Sequence, residues 1–371
     1  MDLATQKKEA AMTVRQDRKI VDLALQGGGA HGALTWGVLD RLLEDERIEI
    51  ATLSGTSAGA MNAVVVAEGL DCAGRRGARE ALADFWKAVS DAALFSPIQR
   101  SLWDRMTNSY ALDRSFSYLF FEHLTRQFSP YELNPMNINP LRDLVASRVN
   151  FDHVNHCTDI RVFVTATNVR TGRGRTFTQP ELSVDTVMAS ACLPFLFQAV
   201  EIDGEAYWDG GYIGNPALHP LVEDTATRDL IVVQINPLVR DTLPRTGREI
   251  VNRINEITFN ASLIKDLRAI ELLHQVIASE KLESERYRDI FVHLIHAHED
   301  LRGMEASSKM NAEWAYLVHL KDRGRAWADR FLTRHYADLG VRSTFDLKSL
   351  FTDSFRPPEV EDTSAQKKKG V

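Results

Sequence analysis

The chain has 371 residues, 44% of them hydrophobic and 26% charged, an ordinary globular balance with enough apolar material for a large core. Its net charge of −7 argues against a general nucleic-acid partner. The three cysteines, Cys72, Cys157 and Cys192, fit neither a disulfide framework nor a zinc spacing, so they are expected to fill core or near-core space in a reducing compartment.

Met1 to Lys19 is polar and of mixed charge, with no apolar run of signal-peptide type, and residues 1–18 read as a flexible lead-in. No stretch approaches the ~20 apolar residues of a membrane span, so a cytoplasmic location is expected, with any membrane contact peripheral. Export by a route that reads no N-terminal signal stays open, and nothing speaks to oligomeric state.

Ile20 to Leu25 reads as a buried strand that runs into Gly27-Gly28-Gly29-Ala30-His31-Gly32. Ala33, Trp36, Gly37, Leu39, Leu42 and Leu43 then fit one face of a helix. A second apolar run from Ile48 ends in Gly55-Thr56-Ser57-Ala58-Gly59, followed by small residues with helical character. This is a match to G-x-S-x-G, the pattern that places a serine on a sharp strand-to-helix turn. Strand–helix–strand order of this kind predicts a parallel sheet.

The glycine loop contains G-x-G-x-x-G, but the second strand does not end in the acidic residue a dinucleotide site needs, and no Gly-Lys-[Ser/Thr] follows. The reading we prefer is an oxyanion hole. Consecutive glycine amides can converge on one point, and neighbouring parallel strands share a crevice at their C-terminal ends. Gly27, Gly28 and Gly29 would then face the same carbonyl as Ser57.

Ala78 to Val89 is predicted helical. Residues 90–150 read as an aromatic-rich insertion (Phe95, Trp103, Tyr110, Phe116, Tyr118, Phe120, Phe121, Phe128, Tyr131) over the crevice. Either these rings cement the insertion to the body, or they form a lid or acyl-chain pocket. Pro130, Pro135 and Pro140 with Asn134, Asn137 and Asn139 predict an irregular loop, and Leu141 to Val149 one more helix. A strand is predicted over Ile160–Thr167, a solvated basic turn over Arg170–Arg175 and a short helix over Ser183–Cys192. Val200–Ile202 and Ala206–Trp208 predict a hairpin around Asp203-Gly204, closed by Asp209-Gly210-Gly211. A buried strand is predicted over Asp229–Ile235, helix over 249–285, a last strand over Ile290–Ile295 and helix over Lys309–Leu339. The polar stretch 357–371, with its lysine cluster, is predicted disordered.

The ordered set of glycine loop, elbow Ser57 and late Asp209-Gly210-Gly211 resembles the patatin-like phospholipases over roughly residues 20–235. The resemblance implies an α/β/α sandwich with a mainly parallel sheet, within a catalytic domain over 19–340 whose C-terminal helical part spans about 249–340. It implies acyl-ester hydrolysis of phospholipids or related lipids by a Ser-Asp dyad, with no cofactor and no metal. Ser57 takes the place of the nucleophile and Asp209 that of the general base and acid. Gly27, Gly28 and Gly29 take the oxyanion positions, and Gly32, Gly55, Gly59, Gly210 and Gly211 support the motifs. His31 departs from the family's Arg or Lys at that position, so a pH-sensitive contribution is expected there. Other readings stay open: a thioesterase or acyltransferase on the same dyad, a Ser-His-Asp esterase using His293, His296 or His298, and a non-enzymatic lipid binder.

Overall fold

The structure, a computed structural model, describes residues 18–94, 96–107, 109–280, 289–302 and 304–351. Most of the lead-in, Phe95, residues 281–285 of the predicted helix and the tail over 357–371 lie outside the described residues.

Strand β1 (Lys19–Leu25) passes through the glycine loop into α1 (Gly32–Glu44). Strand β2 (Ile48–Gly55) passes through the elbow into α2 (Ala58–Ala93). Helix α2 is two helices joined at Ala73 and Gly74, where φ at Gly74 is +61°. The predicted helix Ala78–Val89 is its second half. Just past the kink, Arg75 donates to the carbonyls of Leu42, Leu43, Asp45 and Ile48, which satisfies the end of α1. Cys72 sits at this kink and is exposed, whereas Cys157 and Cys192 are buried as expected.

The insertion carries α3 (Leu102–Met106), α4 (Phe116–Gln127), α5 (Pro130–Leu133) and α6 (Pro140–Arg148). Two of the prolines that predicted a loop open helices, Pro130 against the loop reading and Pro140 at the start of the helix predicted over Leu141–Val149. Pro130 and Pro140 occupy first-turn positions, where a missing N–H costs nothing, behind Ser129 and Asn139 as caps. Then come α7 (Phe151–His156), β3 (Arg161–Asn168), β4 (Gly174–Thr178), α8 (Val184–Ser190), β5 (Val200–Ile202) and β6 (Glu205–Asp209). The predicted hairpin turn is real, with φ of 53° at Asp203 and 78° at Gly204. The remainder is α9 (His219–Glu223), β7 (Asp229–Val233), α10 (Gly247–Glu280), β8 (Phe291–Ile295), α11 (His298–Arg302) and α12 (Trp314–His335).

The sheet runs β5-β6-β3-β2-β1-β7-β8, with β4 also on β3. The five strands from β3 to β8 are parallel, β4 and β6 each pair antiparallel with β3, and β5 pairs antiparallel with β6. Side chains alternate between two cores. Val21, Leu23 and Leu25 join Trp36, Leu39 and Leu82 on the face covered by α1, α2 and α12. Ala24 joins Leu263, Leu267 and Ile270 of α10 on the other. The result is the predicted α/β/α sandwich. Helices α1 and α12 cross closely: a methyl group on Gly37 would collide with the Lys321 carbonyl, and one on Gly324 with that of Leu34. Arg79 of α2 and Arg325 of α12 both grip Asp40 and Glu44 of α1.

The helix predicted over Lys309–Leu339 is divided. A 3-10 turn spans Ala306–Met310 and α12 starts at Trp314. Asn311 breaks the run by donating to the Tyr110 carbonyl and accepting from the Glu313 amide, which ties it to the insertion.

Candidate active site

Ser57 sits between β2 and α2 with φ 55° and ψ −120°, a conformation that costs an L-residue roughly 1–3 kcal/mol and persists only when neighbours enforce it. The neighbours are visible. The Thr56 hydroxyl donates to the Gly214 carbonyl (2.6 Å), and the Ser57 amide donates to Ser190 Oγ (3.0 Å). Ser190 in turn donates to the Thr165 carbonyl (2.6 Å). A Cβ on Gly55 would lie 2.5 Å from the Gly59 carbonyl oxygen, and one on Gly59 would collide with the Leu25 carbonyl. The motif glycines therefore serve close backbone approach.

The glycine loop abuts the elbow: a Cβ on Gly27 would stand 2.7 Å from that of Ser57. The Gly27 amide donates to Asn215 Oδ1 (2.7 Å), and its carbonyl accepts from Asn236 Nδ2 (2.7 Å). Among the described residues, the Gly28 and Gly29 amides have no such acceptor. The free donors of the loop are thus those two, while Gly27 is a strut. Gly32 opens α1 against Ala58 at the start of α2.

Asp209 ends β6 and is 1% exposed. Its Oδ1 accepts from the Gly211 amide (2.7 Å) in the tight turn that Gly210 begins. Burial pushes its pKa up to about 7, against the Gly211 amide, the Ser57 hydroxyl and the charge of Lys309, all of which favour the carboxylate.

Ser57, Asp209 and Gly27 to Gly29 open onto one cavity of about 510 Å³. Phe85, Trp86, Tyr118, Leu141 and Leu193 to Phe197 give it apolar walls, and Asn252, Asn255, Glu256 and Lys309 a polar sector. Tyr118 brings the insertion into the cavity wall. Tyr110 stacks on Tyr316 at 4.5 Å, so part of the aromatic set is cement and part lines the pocket.

His31 is buried, with Nε2 2.8 Å from Ser308 Oγ. Ser308 donates to the Glu305 carbonyl and accepts from the Tyr316 hydroxyl, which leaves His31 Nε2 as the donor. Burial, then Lys309 and Arg240, hold its pKa well below the usual 6.5. The pH-sensitive charge expected at this position is therefore absent near neutrality. His293 sits in the middle of β8, bonded to Asp229 Oδ1 (2.9 Å) and Thr344 Oγ1 (2.9 Å). Among the described residues, no histidine lines the cavity.

The sequence matches the profile of the family described as patatin-like phospholipase over residues 23–222, more than half of the chain. The chain belongs to the patatin-like phospholipase family. As a member it is a lipid acyl hydrolase. No curated protein matches it. Among solved structures, VipD from Legionella pneumophila matches at 15% identity, over 82% of this chain and 67% of that one, with a TM-score of 0.34. ExoU in its complex with SpcU from the type III secretion system of Pseudomonas aeruginosa matches at 14% identity and TM-score 0.33, over 85% of this chain and 52% of that one. The family assignment rests on the profile match alone.

The matched region of this patatin-like phospholipase ends before Asn236, Glu256, Phe259 and Lys309, all of which complete or brace the site. Sequence reasoning missed them, along with Asn215 and Ser190. Only Asn215 stood near a motif, four residues past Gly211. Lys309 opened a stretch that reads as one charged helix and carried no local signal.

Proposed function

We propose that the protein hydrolyses phospholipids or related acyl lipids through Ser57 and Asp209. The observation that carries this reading is the opening of Ser57, Asp209 and two glycine amides, unpartnered among the described residues, onto one apolar-walled cavity. Asp209 removes the Ser57 proton as Oγ attacks the ester carbonyl. The Gly28 and Gly29 amides receive the oxyanion, each worth about 3 kcal/mol in comparable sites. Asp209 then passes the proton to the departing alcohol, and a water deprotonated by Asp209 releases the fatty acid and restores Ser57. A base with a pKa near 7 suits this exchange better than an ordinary aspartate does.

The test is fatty-acid release from mixed phospholipid vesicles and from p-nitrophenyl esters of graded chain length, with Ser57→Ala and Asp209→Asn alongside. Both variants should remain folded and lose activity by ~10⁴-fold or more. Retained hydrolysis by Ser57→Ala overturns the reading. Thioester hydrolysis or acyl transfer would use the same groups, and product analysis with thioester and alcohol acceptors separates them.

The rim supports peripheral contact with a lipid surface. Helix α4 places Tyr118 in the cavity wall and leaves Phe116 (82% exposed) and Phe120 (54% exposed) stacked on its outside. Phe195, 69% exposed, lines the cavity as well. No helix among the described residues is long and apolar enough to cross a membrane.

A further inference from the structure

Lys309 is the only lysine or arginine among the described residues that line the cavity. It comes from the 3-10 turn Ala306–Met310, far along the chain from every motif. Its Nζ donates to Asn236 Oδ1 (2.8 Å), and Asn236 Nδ2 donates to the Gly27 carbonyl (2.7 Å). Its own carbonyl lies where a Cβ on Gly29 would stand 2.6 Å away, so the turn rests on the loop from the other side. Lys309 therefore meets the glycine loop directly at Gly29 and, through Asn236, at Gly27.

The charges around it are specific. Glu256 of α10 faces it, but both Glu256 oxygens are held by Arg240 (2.5 and 3.2 Å), and Arg253 shares one of them (3.1 Å). Burial lowers the pKa of Lys309 from its usual value and Arg240 adds to this, while Glu256 and Asp209 favour the ammonium, and burial keeps the His31 pKa well below 6.5. An ammonium has three donors, and one hydrogen bond to Asn236 leaves two for the cavity. Poorly hydrated charge of this kind acts over longer distances than charge in water.

We infer that Lys309 is a positioning residue for the reaction at Ser57: through Asn236 it braces the glycine loop, and its ammonium supplies the positive charge of the cavity. This rests on the Ser57–Asp209 reading above. Two consequences follow from the geometry. The Gly28 and Gly29 amides keep their aim only while the Lys309–Asn236–Gly27 chain is intact. Asp209 loses its proton more readily with that charge in place than without it.

The experiment compares the full chain with Lys309→Met and Lys309→Arg, each checked for folding by circular dichroism and thermal unfolding. Asp209 is titrated directly by difference infrared spectroscopy of its carboxyl band against Asp209→Asn, a readout that needs no turnover. In Lys309→Met the midpoint should rise by about 1 pH unit, and in Lys309→Arg it should stay within a few tenths of native. With a soluble p-nitrophenyl ester, Lys309→Met should lose roughly tenfold or more in kcat with KM little changed, and Lys309→Arg should recover most of it. An unmoved midpoint with native kcat in Lys309→Met overturns the inference. So does an equal loss of kcat in both variants without a midpoint shift, which is the mark of mere structural damage. If Lys309→Met does not fold, Lys309→Gln replaces it with the same expectations. Should Ser57→Ala retain hydrolysis, the dyad reading falls by itself, and the infrared midpoint still decides the role of Lys309.

Discussion

Asp209 is the residue on which most of the chemistry turns. Its pKa of about 7 predicts an acid limb in kcat/KM: activity should fall tenfold per pH unit below about 7 and level off above it. The same shift has a stability consequence of definite sign. The unfolded chain releases this proton near 3.8, whereas the folded protein holds it to about 7. Each rise in pH across that window therefore favours unfolding, by a total on the order of a few kcal/mol. Asp209→Asn should be more stable than the native protein at pH 8, with a lead that shrinks toward pH 4; urea unfolding at several pH values reads it. An equal lead at every pH would contradict the shift. His31→Gln, which keeps a donor toward Ser308, should leave the acid limb where it is, because His31 carries no charge there.

At the scale of elements, glycines decide how closely backbones approach. Gly324 lets α12 lie against the Leu34 carbonyl of α1, and Gly59 lets α2 start against the Leu25 carbonyl of β1. Neither neighbour is a flexible side chain that can swing aside. Gly324→Ala and Gly59→Ala should each cost about 2 kcal/mol or more, read as a lowered urea midpoint. Gly204 is the control. It has φ +78° but nothing within 4 Å of an added Cβ, so Gly204→Ala should cost only the left-handed penalty of about 1 kcal/mol. The same scale explains which readings succeeded. Strand runs and the helix of α1 were legible because apolar periodicity is a local property. The helix start at Pro130 was misread because proline serves a turn and a first helical position equally well, whereas the helix predicted over Leu141–Val149 is α6, one residue earlier at Pro140–Arg148.

Over the whole molecule, the sheet gathers the site at one end and the insertion covers it. The apolar rim then has a measurable role. Phe116→Asp with Phe120→Asp removes exposed rings from α4 without touching Ser57, Asp209 or the glycine loop. Hydrolysis of short soluble esters should be unchanged, while hydrolysis of vesicle lipid should fall about tenfold or more, since each ring withdrawn from water is worth ~2 kcal/mol. Equal rates on vesicles would show that the rim does not meet the lipid surface. The described part of the chain beyond the matched family region contributes to this assembly: α10 covers one sheet face, α12 clamps α1, and the turn between α11 and α12 carries Lys309.

The sequence by itself determined the parallel α/β core, the strained serine turn and the hairpin that ends in Asp209. Each of these is written in residues a few positions apart, because turn chemistry, close backbone approach and strand alternation are short-range effects. Only the tertiary structure decided which loop amides stay free, since Gly27 is taken by Asn215 and Asn236 from roughly the other half of the chain. It also decided the charge state of His31 and Asp209, which depends on burial, and burial is a property of the packed whole. Lys309 belongs to the same class: a lysine in a charged stretch reads as solvated until Asn311 breaks the helix and turns residue 309 into the cavity.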